Sequence, residues 1–261
     1  MVVDPHAEHR QRAYDVRCEW GRHGVELLAR ECAAVVIVDV LSFCTSVDIA
    51  VSRGARVLPQ RWADADTVSG HAAPSSAAAR EAAERGAVAA GSRGGSGPSL
   101  RPSSLVGLAR DTLLALPSPN GATLCAAAAG NRAVVLAGCL RNASAVAAAA
   151  RAIGSPIGLV PAGERWPDDT LRAAAEDAVG AGAIITALRH SAAAPLSYAA
   201  EARLAAAQFG AARLSGLSTV LSELSSGQEL IADGYADDVR LAADLDVSRA
   251  VPRLSEGVLH G

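Results

Sequence analysis

The chain contains no lysine: all 24 of its basic residues are arginine. That absence excludes Schiff-base chemistry on a lysine amine and a Walker-type phosphate loop, since both need an ammonium group. Aromatic residues make up 3% of the 261 positions against 50% hydrophobic, so the core has to be assembled from Ala, Val, Leu and Ile. There is no long basic run, and the net charge is −3, which argues against nucleic acid as a partner. The five cysteines (Cys18, Cys32, Cys44, Cys125, Cys139) show no paired metal spacing and mostly sit in or beside apolar runs, as reduced, buried thiols do. The histidines are scattered, so zinc has no ligand cluster. No apolar stretch is long and uncharged enough to span a bilayer; the Ala-rich run 143–150 is short and bounded by Arg141 and Arg151. The expectation is a soluble cytoplasmic protein with no membrane or nucleic-acid partner, homo-oligomerisation being left open.

What is present alternates. Residues 33–40 (AAVVIVDV) form a continuous β-branched run, as expected of a strand buried on both faces of a parallel sheet. Apolar runs at 56–59, 112–116, 133–137 and 156–160, with a weaker one at 87–91, alternate with helical stretches at 44–52, 67–85, 123–129 and 142–153. That spacing predicts βαβ units: an α/β fold, three-layer α/β/α, with a mostly parallel sheet. From 171 onward the pattern becomes largely helical (171–181, 195–209, 214–224 and a helix pair within 228–245), giving a helix-rich C-terminal portion. Residues 1–16 read as a flexible lead, and 17–261 as the α/β region, either one domain or two interlocked subdomains. The Gly/Ser/Pro-rich stretch 91–104 reads as a linker or a mobile active-site loop.

Ligands in open α/β sheets sit beyond the carboxyl ends of the strands, so polar residues just after each apolar run are the candidates. The turn Ser118-Pro119-Asn120-Gly121 opens a helix and predicts free amides at the positive end of a helix dipole, a phosphate or oxyanion cradle. Asp39 lies near the end of an apolar strand, where an Arg, a metal or helix N-terminal amides must meet it. A second Asp two residues on, which an aspartyl-phosphate mechanism of the haloacid dehalogenase kind requires, is replaced by Leu41. Glu164, Asp168, Asp169, Glu176 and Asp177 crowd five carboxylates near the sheet's mouth and suggest Mg2+ held by oxygen ligands bridging to a phosphate. On a helix starting near Thr170, Arg172 and Glu176 would be i,i+4 partners.

With these segments in view, the chain resembles the 2-phosphosulfolactate phosphatase family. The matching stretches are VVIVDVLSFCTSV (35–47), LPSPNGATL (116–124), LAGCLRNASAVA (136–147), PAGERWPDDTLRAAAEDAVGAGAII (161–185) and SSGQELIADGYADDV (225–239). The resemblance implies an α/β phosphohydrolase that uses Mg2+ and acts on a small phosphorylated organic acid or another anionic substrate. By that resemblance Asp39, Ser118, Asn120, Gly121, Asn142, Glu164, Arg165 and Asp168 fall on motif positions of the site; the residue chemistry then suggests Asp39, Glu164 and Arg165 as catalytic and Ser118, Asn120, Gly121 and Asn142 as phosphate-binding. Metal ligands would come from Asp39, Glu164, Asp168 and Asp177. Family members often carry Arg where this chain has Ser42 and Gln228, and Gly-Glu-Arg where it has Gly91-Ser92-Arg93. A neutral residue cannot replace the bidentate grip of a guanidinium on an oxyanion. Those departures imply either a site rebuilt for a less charged substrate or a non-catalytic anion-binding or regulatory homologue.

Overall fold

The computed structural model describes residues 8–61, 76–190 and 194–261. In chain order the strands of its main sheet are β1 (Val16–Cys18), β2 (Ala34–Val38), β3 (Arg56–Arg61), β4 (Val88–Ala89), β5 (Leu113–Ser118), β6 (Val134–Gly138) and β7 (Ile157–Pro161). A separate hairpin, β8 (Glu164–Arg165) and β9 (Leu171–Arg172), follows, and β10 (Arg253–Ser255) and β11 (Val258–His260) return to the main sheet. The sheet order is β1-β7-β2-β6-β10-β11-β3-β5-β4. Strands β1, β7, β2 and β6 are mutually parallel, as are β3, β5 and β4; the antiparallel β10–β11 pair joins the two groups.

The β-branched run of β2 is buried on both faces because helices cover both. Its period of two sends Ala34, Val36 and Val38 into one core and Val35 and Ile37 into the other. The first core is closed by α5 (Ala143–Ile153), α6 (Ala175–Arg189) and α7 (Ala200–Ser215); the second by α1 (Gly21–Glu31), α2 (Phe43–Ser52) and α4 (Gly121–Ala128). The fold is therefore the expected three-layer α/β/α arrangement with a mostly parallel sheet. Helix α3 (Ser76–Glu84) lies beside β4, and α8 (Leu217–Glu223), α9 (Ser225–Ala232) and α10 (Ala236–Ala243) make the C-terminal portion helical. No helix among the described residues is long and apolar enough to cross a membrane. All five cysteines are buried and free.

Several expectations change. The stretch 171–181 does not begin as a helix: Leu171 and Arg172 are in β9, and α6 starts at Ala175. Arg172 and Glu176 are consequently not on one helix, and Arg172 instead donates to Ser226 Oγ at 2.8 Å. The expected helix 67–85 is seen as α3; its portion within 62–75, with Pro74, lies outside the described residues. The described part of the expected lead is held in place: Arg10, Arg12 and Arg17 all pair with Glu31 of α1, at 2.7, 2.7 and 3.1 Å. Gln11 pairs its side-chain amide with both the N–H and the carbonyl of Cys18, covering the open edge of β1.

A core with few rings closes by bringing backbones together. A methyl added to Gly182 of α6 would lie 2.0 Å from the Ala205 carbonyl oxygen of α7, whereas one added to Gly210 of α7 would meet nothing within 4 Å. Gly182→Ala should therefore cost at least about 1–3 kcal/mol by overpacking. Gly210→Ala should be neutral or stabilising by about 0.5–1 kcal/mol, the helix advantage of Ala. Urea unfolding of the pair checks this; equal stability of the Gly182→Ala and wild-type proteins would refute the close α6–α7 contact.

Candidate active site

The ends of β2, β5 and β7 open on one side of the sheet, and two buried carboxylates tie them together. Asp39, one residue past β2, accepts the Phe43 amide at the start of α2 on Oδ1 (3.0 Å) and the Gly121 amide at the start of α4 on Oδ2 (2.9 Å). Asp177, in the first turn of α6, accepts the amides of Val40 (2.7 Å) and Gly163 (2.9 Å). Both side chains meet helix-terminal or loop amides, the compensation that a carboxylate at an apolar strand end requires. Burial raises both carboxyls above their ordinary range despite these bonds, and their mutual proximity adds to the rise at Asp177.

The amides of the Ser118–Gly121 turn are not free, contrary to expectation. The Asn120 N–H is taken by Ser118 Oγ (3.3 Å) and the Gly121 N–H by Asp39. The anion at these helix starts is the protein's own carboxylate. What the turn offers is side chains: Asn120 donates from Nδ2 to Glu164 Oε2 at 2.9 Å.

The cleft above these loops has a volume of about 390 Å3. Asp39, Ser118, Asn120, Glu164 and Arg165, all expected at the site, line it together. Burial, followed by the negative charge of Asp39, lifts the Glu164 carboxyl to about 7; the Asn120 bond and Arg172 pull the other way. Gly121, also expected at the site, does not line the cleft; it is buried against α2, where an added methyl would strike the Phe43 ring and Asp39 Oδ2. The remaining expected residues are elsewhere. Asn142 is fully buried, accepts the Cys139 amide (2.9 Å) and donates to Ala250 O (3.2 Å), shaping the turn before α5. Asp168 is on the surface, where it accepts from the Thr170 amide and hydroxyl. Asp177 lies beneath the cleft with both oxygens engaged.

Sequence reasoning gave no site role to Arg93 or Arg172 and counted Glu176 only within the acidic group of five. Arg93 reaches from the Gly-rich loop into the cleft, its Nη2 3.5 Å from Ser42 Oγ and its Nη1 buried without a hydrogen-bond partner. Arg101 steadies that loop by donating to the Arg93 carbonyl (3.1 Å), and Asp238 in turn accepts the Ser103 amide (2.7 Å) and lies 3.4 Å from Arg101 Nε. Arg172 lines the cleft from the hairpin, with its guanidinium 5.9 Å from the Trp166 ring centroid. Arg165 also donates to the Pro119 carbonyl (3.3 Å) and pairs with Asp169. Glu176 is 3% exposed, and its charge raises Asp39, Glu164 and Asp177. A helix start placed at Thr170 hid it as a solvated ion-pair partner. Gln228, in α9, donates to Glu223 O (2.7 Å) and does not line the cleft.

Among the described residues no group of three or more His, Cys, Asp and Glu side chains is placed to hold a metal ion alone. Four carboxylates, Asp39, Glu164, Glu229 and Asp233, do line the same cleft, and Glu164 keeps one oxygen with no hydrogen bond to a described residue. One or two carboxylates, with waters and substrate phosphate oxygens, is the ordinary setting of Mg2+. The donors present suit that ion.

A family model described as 2-phosphosulpholactate phosphatase matches residues 24–257 of the chain. No curated protein matches it.

The raised Glu164 carboxyl has a stability consequence whose sign is fixed. Between 4.5, its ordinary value, and about 7, the folded protein keeps a proton that the unfolded chain has released. Its contribution is therefore complete below 4.5 and disappears as pH rises through about 7. Relative to Glu164→Gln, whose amide does not titrate, the wild-type urea midpoint should fall across that window. Parallel pH profiles for the two proteins would refute the assignment.

Proposed function

Because the chain belongs to the 2-phosphosulpholactate phosphatase family, a family of phosphoric monoester hydrolases, we propose that it hydrolyses a small phosphorylated organic acid in this cleft with Mg2+. The observation that carries the reading is the meeting of three guanidiniums, Arg93, Arg165 and Arg172, with the protonatable Glu164 in one cleft. A phosphomonoester of an organic acid brings about three negative charges at neutral pH, and planar guanidiniums match both phosphate and carboxylate.

Each residue then has a task. Arg93, with its unpartnered Nη1, binds phosphoryl oxygens; Arg172, held by Ser226 Oγ, and Arg165, held by Pro119 O, receive the acid and the charge that develops as the ester bond breaks. Ser118 and Asn120 line the same wall, and Asn120 also fixes Glu164. Glu164, held through one oxygen by Asn120, orients a water with the other and accepts its proton as the water oxygen bonds to phosphorus. Asp39 and Glu164 are the residues that would hold Mg2+. The ion would supply neutralisation of the phosphoryl oxygens.

The neutral Ser42 and Gln228 favour a second reading, an anion-binding homologue without turnover. Arg93 weighs against it, because its guanidinium stands beside Ser42 and supplies a cation there. Phosphate release from a panel of phospho-acids, with and without Mg2+, separates the two. We expect Mg2+-dependent release, reduced about 10²–10³-fold in kcat by Arg93→Ala, as for loss of one transition-state donor. Binding of the phospho-acids without any release would establish the second reading instead.

A further inference from the structure

A second cavity, of about 440 Å3, adjoins the cleft and shares Pro119, Asn120, Glu164 and Arg165 with it. Its own walls differ in character. Trp20, Leu124, Ala162 and Leu171 supply apolar surface; of the polar residues beside them, His23, Arg22, Asp169 and Thr170, Arg22 is already paired with Glu26 at 2.8 Å and Asp169 with Arg165. Leu171 of the hairpin is seated over two glycines: a methyl on Gly163 would come within 2.5 Å of its Cδ1, and one on Gly21 within 3.2 Å. This seat brings the hairpin against the start of α1 and forms the cavity, while leaving Leu171 48% exposed.

A phosphorylated three-carbon acid has charged groups at both ends, and the guanidiniums that suit them, Arg93, Arg165 and Arg172, all line the first cleft. Such a molecule would leave the apolar walls of the second cavity uncovered. We infer that the second cavity receives an aryl group carried on the same carbon framework as the phosphate. The substrate class is then a phosphomonoester of an aryl-substituted hydroxy acid. The ring lies against Trp20 and Leu171, where apolar burial and ring–ring contact favour it. The phosphate lies in the cleft, and the shared Arg165 stands between them. This specificity rests on the phosphatase reading above.

The test compares 2-phospholactate with 2-phospho-3-phenyllactate, which differ only by the phenyl ring. In the wild type kcat/KM should favour the phenyl ester about tenfold or more, within the range that added apolar contact supplies. Trp20→Ala and Leu171→Ala should each reduce that ratio about fivefold or more, on the same grounds. Leu171 is half exposed, so its variant keeps the test open if Trp20→Ala fails to fold. A wild-type ratio of one or less, or a ratio undiminished in the folded variants, overturns the inference. Calorimetric titration of both esters without Mg2+ distinguishes the two ways of failing. Ring-dependent affinity that falls in the variants, with no turnover of either ester, supports the second cavity while refuting the phosphatase. Affinity independent of the ring, or no binding of either ester, overturns the inference.

Discussion

The Asp39 carboxylate lies between the starts of two helices, and the chemistry of the cleft follows from that placement. Helices α2 and α4 each direct the positive end of their dipole at the end of the sheet, and each would bind an anion there. Asp39 satisfies one amide from each, so the charge these helices could have offered a ligand is already balanced. A phosphate entering the cleft must therefore be met by mobile side-chain cations rather than by backbone. In a chain without lysine those cations are arginines, and three of them converge from three different segments: the 91–101 loop, β8 and β9.

Asp177 repeats the device one layer deeper, joining the end of β2 to the end of β7 through Val40 and Gly163. Together the two aspartates fix three strand ends relative to one another using only backbone amides, which no surface mutation can remove. The electrostatic result is as important as the mechanical one. Asp39, Asp177 and Glu176 are all buried, and Glu164 is pushed upward first by its own burial and then by the charges of Asp39 and Glu176. Arg93 and Arg172 counteract only part of that negative field. A clamp built to hold loops thus also tunes a carboxyl to the pH range where it can exchange protons, and creates the need for a cation beside it.

The layered fold was legible in the sequence because its signals are repeated: a buried strand such as β2 shows as an unbroken β-branched run, and its βαβ neighbours recur at similar spacing. The failures are local and have physical causes. The three-residue strands β10 and β11 are too short for a periodicity, and they depend on an antiparallel place between two parallel groups that only the folded sheet creates. Their turn, with positive φ at Glu256 and Gly257, was the available local sign. The run Thr-Leu-Arg-Ala-Ala-Ala before Glu176 has helical composition, but Asp169 takes a positive φ and turns the chain into a hairpin first. Five of the expected site residues, Asp39, Ser118, Asn120, Glu164 and Arg165, do meet in the cleft. The amides of the Ser118–Gly121 turn were misjudged because their partner, Asp39, is 82 residues away in sequence.

Ser42 shows why a missing arginine is poor evidence for a missing charge. Sequence comparison assigns charge to a position along the chain, whereas a bound phosphate responds to charge at a position in space. The small side chain at 42 leaves room above the start of α2, and the Arg93 guanidinium occupies it from a loop half a hundred residues further on, close enough to touch the Ser42 hydroxyl. The contacts from Arg101 and Asp238 hold the loop there. Arg93 is near enough to Asp39 for the two charges to favour one another. Arg93 keeps a buried Nη1 without a hydrogen-bond partner. A position that is neutral along the chain is, in three dimensions, beside a guanidinium that lines the cleft.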